Sequence, residues 1–276
     1  MSNALGILQA LIKQKRREET EQALKARVIN TGTIRRFDSV VTHHDYNALS
    51  GIEQTLFLEF TSETATEYMH TKSGKPRLVY SKKPMHGVGI NDAPYQVTVA
   101  LLGTRVGCPV YFTWSNIIQR CYSDKGRLKY PTYRGCTVAP EWHSFMRFRE
   151  WWLQHYKEGY QLDKDLLVPC NKVYSPDTCI FVPQWLNALT IASDATRGLL
   201  PLGVSLSCAN RTKPYQARCS DGAGKQVYLG IYGTPEEAHQ AWLNYKLSRV
   251  DARSAELEAI RAGLTDKVKA KVLSLV

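Results

Sequence analysis

The chain has 276 residues, with 36 Lys and Arg against 25 Asp and Glu, a net charge of +11 and a pI near 9.3. Its 43% hydrophobic content is ordinary for a folded protein and sufficient for one large core or about two to three small ones. No apolar run approaches the roughly 18 residues a bilayer-spanning helix needs, which leaves no membrane partner to expect. The positive charge is spread along the whole chain, so it predicts several modest contact surfaces for a polyanion rather than one basic arm. The seven cysteines are odd in number and show no CxxC spacing, and no signal peptide is recognisable, which fits free thiols and a cytoplasmic location.

In chain order, "LGILQALIKQKRREETEQALKARVI" sets Leu5, Leu8, Leu11 and Ile12, then Ala23 and Leu24, at helical spacing around a charged face. Residues 33–83 read as β-rich, with "TLFLEF" and "PRLVYS" as strands and "HTKSGKPR" as a basic turn. His43 and His44 have no partner at metal-ligand spacing. Residues 1–85 therefore read as an N-terminal α+β domain for which no motif indicates a role.

The Gly-, Pro- and Asn-rich "SKKPMHGVGINDAPY" opens a second domain over 86–197. "YFTWSNIIQRCYS" predicts a helix with Trp114, Ile117, Ile118 and Cys121 on one side and Arg120 on the other. "EWHSFMRFREWWLQHY" predicts a second helix, with aromatics at core-packing spacing. Residues 160–191 then read as strand, irregular loop, strand and a helix near Pro183–Leu189. Such a ββα unit sets a strand-end carboxylate beside a helix side chain, so that both reach one divalent cation, which supplies Lewis acidity to a phosphate. Strand alternation puts Asp163 and Asp165 on one face and Lys164 on the other.

This segment, with its upstream blocks "TWSNIIQRCYS" and "YPTYRGCTVAPEW", resembles phage-encoded HNH-like nucleases over about residues 86–190. Pro176, Asp177, Thr178 and Cys179 fill the corner before the apolar strand Ile180, Phe181 and Val182. The resemblance implies Asp163 and Asn187 as ligands of Mg²⁺ or another divalent cation, Asn171 as the loop Asn, and Lys164 in the place of the catalytic His. A lysine of ordinary pKa, about 10.4, stays protonated at neutral pH and is no general base. Lys164 then reads as a phosphate contact, an ion-pair partner or a transition-state cation; His143 and His155 are the nearest alternative bases in sequence.

Residues 198–250 read as three strands and a helix. "YQARCS" alternates Tyr215, Ala217 and Cys219 against Gln216, Arg218 and Ser220. "QVYLGIY" alternates Val227, Leu229 and Ile231 against Gln226, Tyr228 and Tyr232. "TPEEAHQAWLNYKL" begins with a Thr N-cap, Pro at N1 and Glu at N3, and carries Ala238, Ala241, Trp242 and Tyr245 as its apolar stripe. A helix on one face leaves Gln216, Arg218, Tyr228 and Lys225 on the other, and a two-stranded ribbon of this kind fits the DNA major groove. Gly203-Val204, Tyr215-x-Ala217, Tyr228-Leu229-Gly230 and Thr234-x-Glu236-Glu237-Ala238 resemble the plant ethylene-response-factor (apetala-two) DNA-binding domain. Where that family carries Arg after the Gly-Val, this chain has Ser205 and Ser207, with Arg211 and Lys213 following in the loop. Residues 251–276 read as two short helices hinged near Gly263.

The expectation is a multidomain α+β protein: an HNH-like ββα hairpin plus a three-stranded antiparallel sheet on one helix. Together the two resemblances imply a phage-type homing endonuclease that cleaves duplex DNA with a divalent metal, in the host cytoplasm, with no small-molecule ligand. The competing expectations are a non-enzymatic DNA-binding or regulatory protein that has lost its base, and an RNA- or ribosome-binding protein.

Overall fold

The computed structural model describes residues 40, 42–59, 83–101, 103–190, 200–207, 212–221 and 225–275, apart from the side chains of Ala100 and Arg127. The expected N-terminal helix, the "PRLVYS" strand, the "HTKSGKPR" turn and Arg211 lie outside them. The fold is mixed α+β. It forms two compact units, one drawn from 1–83 and 91–115 and the other from 84–90 and 116–276.

In the first unit, α1 (His43–Asn47) starts at a Thr42–Asp45 capping box. Helix α2, residues 51–59, starts at a second one: Ser50 N–H donates to Glu53 Oε2 (2.8 Å) and Glu53 N–H to Ser50 Oγ (3.3 Å). "TLFLEF" was expected as a strand, and here the structure corrects the sequence: Thr55–Glu59 are helical, and all five are buried. A short apolar stretch such as Leu56–Leu58 suits a buried helix as well as a buried strand, and the Ser-x-x-Glu box decides between them. Strands β1 (Thr98–Leu101) and β2 (Thr104–Gly107) form a hairpin, and Tyr46 Oη donates to the Gly107 carbonyl at 3.0 Å.

Helix α3 (Pro109–Tyr122) carries the boundary between the units. Its expected apolar side, Trp114, Ile117, Ile118 and Cys121, is buried, and Arg120 is exposed. After α4 (Asp124–Lys129) and short 3₁₀ turns at Pro131–Tyr133 and Pro140–His143, α5 spans Phe145–His155. The helix expected from Glu141 begins only here, because Ser144 caps it by accepting from Arg147 N–H at 3.2 Å. Trp142, Phe145, Phe148 and Trp152 are buried, as core-packing spacing predicts.

Strand β3 (Thr137–Val138) pairs in parallel with β5 (Val173–Tyr174). Strand β4 (Tyr160–Asp163) pairs antiparallel with β6 (Ile180–Pro183), and α6 (Gln184–Thr190) follows directly. The strand–loop–strand–helix order over 160–190 is thus present.

The last sheet runs β7 (Val204–Leu206), β8 (Tyr215–Ser220), β9 (Gln226–Tyr232), all antiparallel. It lies on α7 (Pro235–Asp251), which starts at the Thr234–Glu237 capping box. Gly203 has φ +77°, and a Cβ there would sit 2.0 Å from Trp242 Cδ1 of α7, so the turn into β7 takes glycine. Helices α8 (Ser254–Ile260) and α9 (Leu264–Leu273) meet at Gly263, whose φ is +74°.

The core of this second unit crosses the expected boundaries at 197/198 and 250/251. Leu166, Leu167, Val182 and Leu186 of the hairpin region pack in one cluster with Leu202, Cys219, Trp242, Leu243 and Val250, and with Leu257, Leu264, Val268 and Val272 of the tail. Fully burying a Leu or Val contributes about 1.5–3 kcal/mol, so the tail is an integral part of the hairpin's support.

Candidate nucleic-acid interface and strand-end carboxylates

On the sheet, burial follows strand alternation. Ala217 and Cys219 are buried on α7, while Arg218 and Ser220 are exposed. Arg218 and Tyr228 are direct cross-strand partners, and Tyr228 is 56% exposed. Opposed residues share a face, so this guanidinium root and this ring stand side by side on the open side. Gln216 pairs with Ser205 on the same face and donates from Nε2 to the Leu206 carbonyl at 3.2 Å. Lys213 and Lys225 are exposed at the strand ends. Arg211 lies outside the described residues.

A β-bulge between Ala217 and Arg218 alters the expected faces of β9. Cys219 still pairs with Val227, but Gln216 pairs with Ile231 and Tyr215 with Tyr232. The extra residue, Leu229, offsets the alternation by one. Ile231 therefore joins the open face, and Tyr232 turns to the helix side. Gly230 occupies the bulge at φ +129°.

At the end of β4, Asp163 Oδ1 accepts the N–H groups of Asp165 (2.9 Å) and Leu166 (2.7 Å), closing a turn. Strand alternation stops there, so Lys164 is not on the face opposite Asp165: its Nζ donates to Asp165 Oδ2 at 2.8 Å and to the Asn171 carbonyl at 3.0 Å. Asn171 braces the loop. Its Nδ2 donates to the carbonyls of Lys164 and Val173, both at 2.6 Å, and its Oδ1 accepts Val173 N–H at 3.1 Å. The corner residues hold themselves in the same way, Thr178 Oγ1 donating to the Val173 carbonyl at 2.9 Å.

Sequence reasoning missed the principal partner of these carboxylates. Lys271 of α9 hydrogen-bonds Asp165 Oδ1 and lies 3.6 Å from Asp163 Oδ2. One turn earlier, Lys267 Nζ donates to the Leu167 carbonyl at 2.9 Å. The only signal in the sequence is an i, i+4 lysine pair bordering the apolar stripe Leu264, Val268 and Val272. Burial alone would lower the Lys164 ammonium, but the Asp165 hydrogen bond and the neighbouring carboxylates raise it above the usual lysine value. Burial alone would raise Asp165, but the hydrogen bonds from Lys164 and Lys271 hold its carboxyl below the usual range. Lys164 is thus an ion-pair partner, held in its protonated form even more firmly than a free lysine and so unable to accept a proton from water.

A divalent cation does not fit this arrangement. Asp163 gives one oxygen to backbone amides and turns the other to an ammonium. Asn187 Nδ2 donates to Gln161 Oε1 at 2.7 Å, two residues back along β4. Among the described residues, no group of three His, Cys, Asp or Glu is placed to hold a metal. Each alternative base has one ring nitrogen held by a backbone carbonyl. His143 Nε2 is 3.0 Å from the Val138 carbonyl, and His155 Nδ1 is 2.7 Å from the Trp151 carbonyl, with its ring stacked on Trp151.

No helix among the described residues is long and apolar enough to cross a membrane. No family model, curated protein or solved structure matches the chain.

Proposed function

We propose that the protein binds duplex DNA through the open face of the β7–β8–β9 sheet, and that the β4–β6–α6 hairpin is a supporting scaffold rather than a cutting centre. The observation that carries this reading is the cross-strand pair of exposed Arg218 and Tyr228, on a narrow sheet whose other face is filled by α7. An Arg fork matches the O6 and N7 acceptors of guanine in the major groove. The surplus of positive charge supplies the sequence-independent attraction. The lysine answering Asp163 and Asp165 argues against metal-dependent cleavage, the other function the resemblance implies.

The test is binding of the full chain to duplex DNA across a salt series, with duplex RNA as competitor and Mg²⁺-dependent plasmid nicking assayed in parallel. The expected result is salt-sensitive DNA binding, a slope of log K against log salt of roughly −0.9 per phosphate contact, weaker competition by RNA, and no nicking. DNA binding indifferent to salt, or RNA the better competitor, sinks the proposal. Mg²⁺-dependent nicking that disappears in Asp163→Ala restores the cleavage reading.

A further inference from the structure

The sheet leaves a second positive surface unexplained. Between 116 and 138 the chain carries five basic residues and one acidic one, Asp124. Part of that charge converges on two tyrosines. The Arg120 guanidinium lies 5.2 Å from the Tyr133 ring centroid. The Tyr133 ring meets Tyr130 edge-on at 6.3 Å, and Lys129 Nζ lies 5.2 Å from the Tyr130 centroid. From a segment 40 residues away, Lys172 Nζ donates to the Thr132 carbonyl at 3.1 Å. Arg134 is exposed beside Tyr133, and Tyr130 is itself 43% exposed.

Solvated surface lysines usually point wherever entropy takes them. Here three cations from three segments are held against rings or a carbonyl in one connected chain of contacts. One Arg120 Nη1 N–H reaches the Tyr133 hydroxyl at 3.5 Å, and the other N–H groups of the guanidinium fork can still meet a phosphate. The surroundings fit the same partner. Lys172 follows Asn171, the residue that braces the Lys164 carbonyl, so the patch borders the hairpin loop.

We infer that Arg120, Lys129, Arg134 and Lys172, ordered by Tyr130 and Tyr133, form a second DNA contact that grips the phosphate backbone without reading sequence. This rests on the DNA-binding proposal above and divides the labour: the sheet selects and this patch adds affinity.

The experiment is fluorescence anisotropy of the full chain on two duplexes, one carrying a motif selected from a random pool and one scrambled, over a fourfold range of salt. The variants are Arg120→Gln/Lys129→Gln/Lys172→Gln, all at exposed positions, and Arg218→Ala as the contrast, with folding checked by circular dichroism. The triple variant is expected to weaken binding to both duplexes equally and to flatten the log K against log salt slope by about 2.7, for three lost phosphate contacts. The fourfold rise in salt then costs it roughly 40-fold less affinity than it costs the wild type. Arg218→Ala is expected to lose preference for the selected duplex and keep most of the slope. An unchanged slope in the triple variant, with wild type and Arg218→Ala behaving as expected, overturns this inference and leaves DNA binding standing. Loss of discrimination in the triple variant, or wild-type binding to anionic lipid vesicles that these three residues control in place of DNA binding, overturns it too. A wild type that binds neither duplex defeats the DNA-binding proposal itself.

Discussion

The end of β4 and the open face of β7–β9 both concentrate charged and hydrogen-bonding side chains, and they dispose of them in opposite ways. At the strand end, Asp163, Lys164, Asp165 and Lys271 answer one another, and the side chains of Asp163 and Lys164 are only 12% and 11% exposed. On the sheet, Arg218 stands in solvent next to Tyr228. Charges already paired inside a fold contribute to its stability and specificity, and charges left in solvent are available to a partner. The first region therefore ties the tail to the hairpin, and the second is the candidate for recognition.

The largest effect that probes this contrast is on stability. Leu264→Ala, in the core shared by tail, hairpin and sheet, is expected to cost about 2–5 kcal/mol. Urea unfolding followed by tryptophan fluorescence and by far-UV circular dichroism should shift together. Two separate transitions would mean that hairpin and sheet are independent, and the comparison would lose its common frame.

Lys271→Ala is expected to cost less, about 1.5–3 kcal/mol and toward the lower end because Asp165 is 35% exposed, with DNA affinity unchanged. Its pH dependence carries a sign. The folded-state pKa of Asp165 is lowered, so its contribution is present above the unfolded value, about 3.9, and is lost as pH falls through the folded value. The raised Lys164 contributes below about 10.4 and loses that contribution as pH rises through its folded value. The gap in thermal midpoint between wild type and Lys271→Ala should therefore hold steady across neutral pH and narrow in acid. A gap that widens in acid would show that Lys271 does not stabilise ionised Asp165.

Arg218→Ala is expected to leave unfolding unchanged and to cost about 1–3 kcal/mol of binding to the preferred duplex, about 5- to 150-fold. A stability loss as large as that of Lys271→Ala would erase the distinction between the regions. The smallest expected effect is at Lys164: Lys164→His alone should produce no Mg²⁺-dependent plasmid nicking, because Lys271 still faces Asp163. Nicking by that variant would mean that only the base was missing.

The sequence by itself determined whatever depends on neighbours along the chain. Trp114, Ile117, Ile118 and Cys121 share a side of α3 because a helix repeats every 3.6 residues. The segments "YQARCS" and "QVYLGIY" coincide with β8 and β9, and Thr234 with Glu237 marks the start of α7. The stretch Leu56–Leu58 reads equally as strand or helix, and the contacts between Ser50 and Glu53 made it a helix. The tertiary structure decided what depends on distant residues. The bulge that turns Ile231 outward exists only in the pairing of two strands. The fate of Asp163 and Asp165 was set by Lys271, 106 residues beyond Asp165, brought there by the burial of Leu264, Val268 and Val272. A carboxylate at a strand end has the same spacing along the chain whether it meets a metal ion or an ammonium, because electrostatic partners are chosen by distance in space.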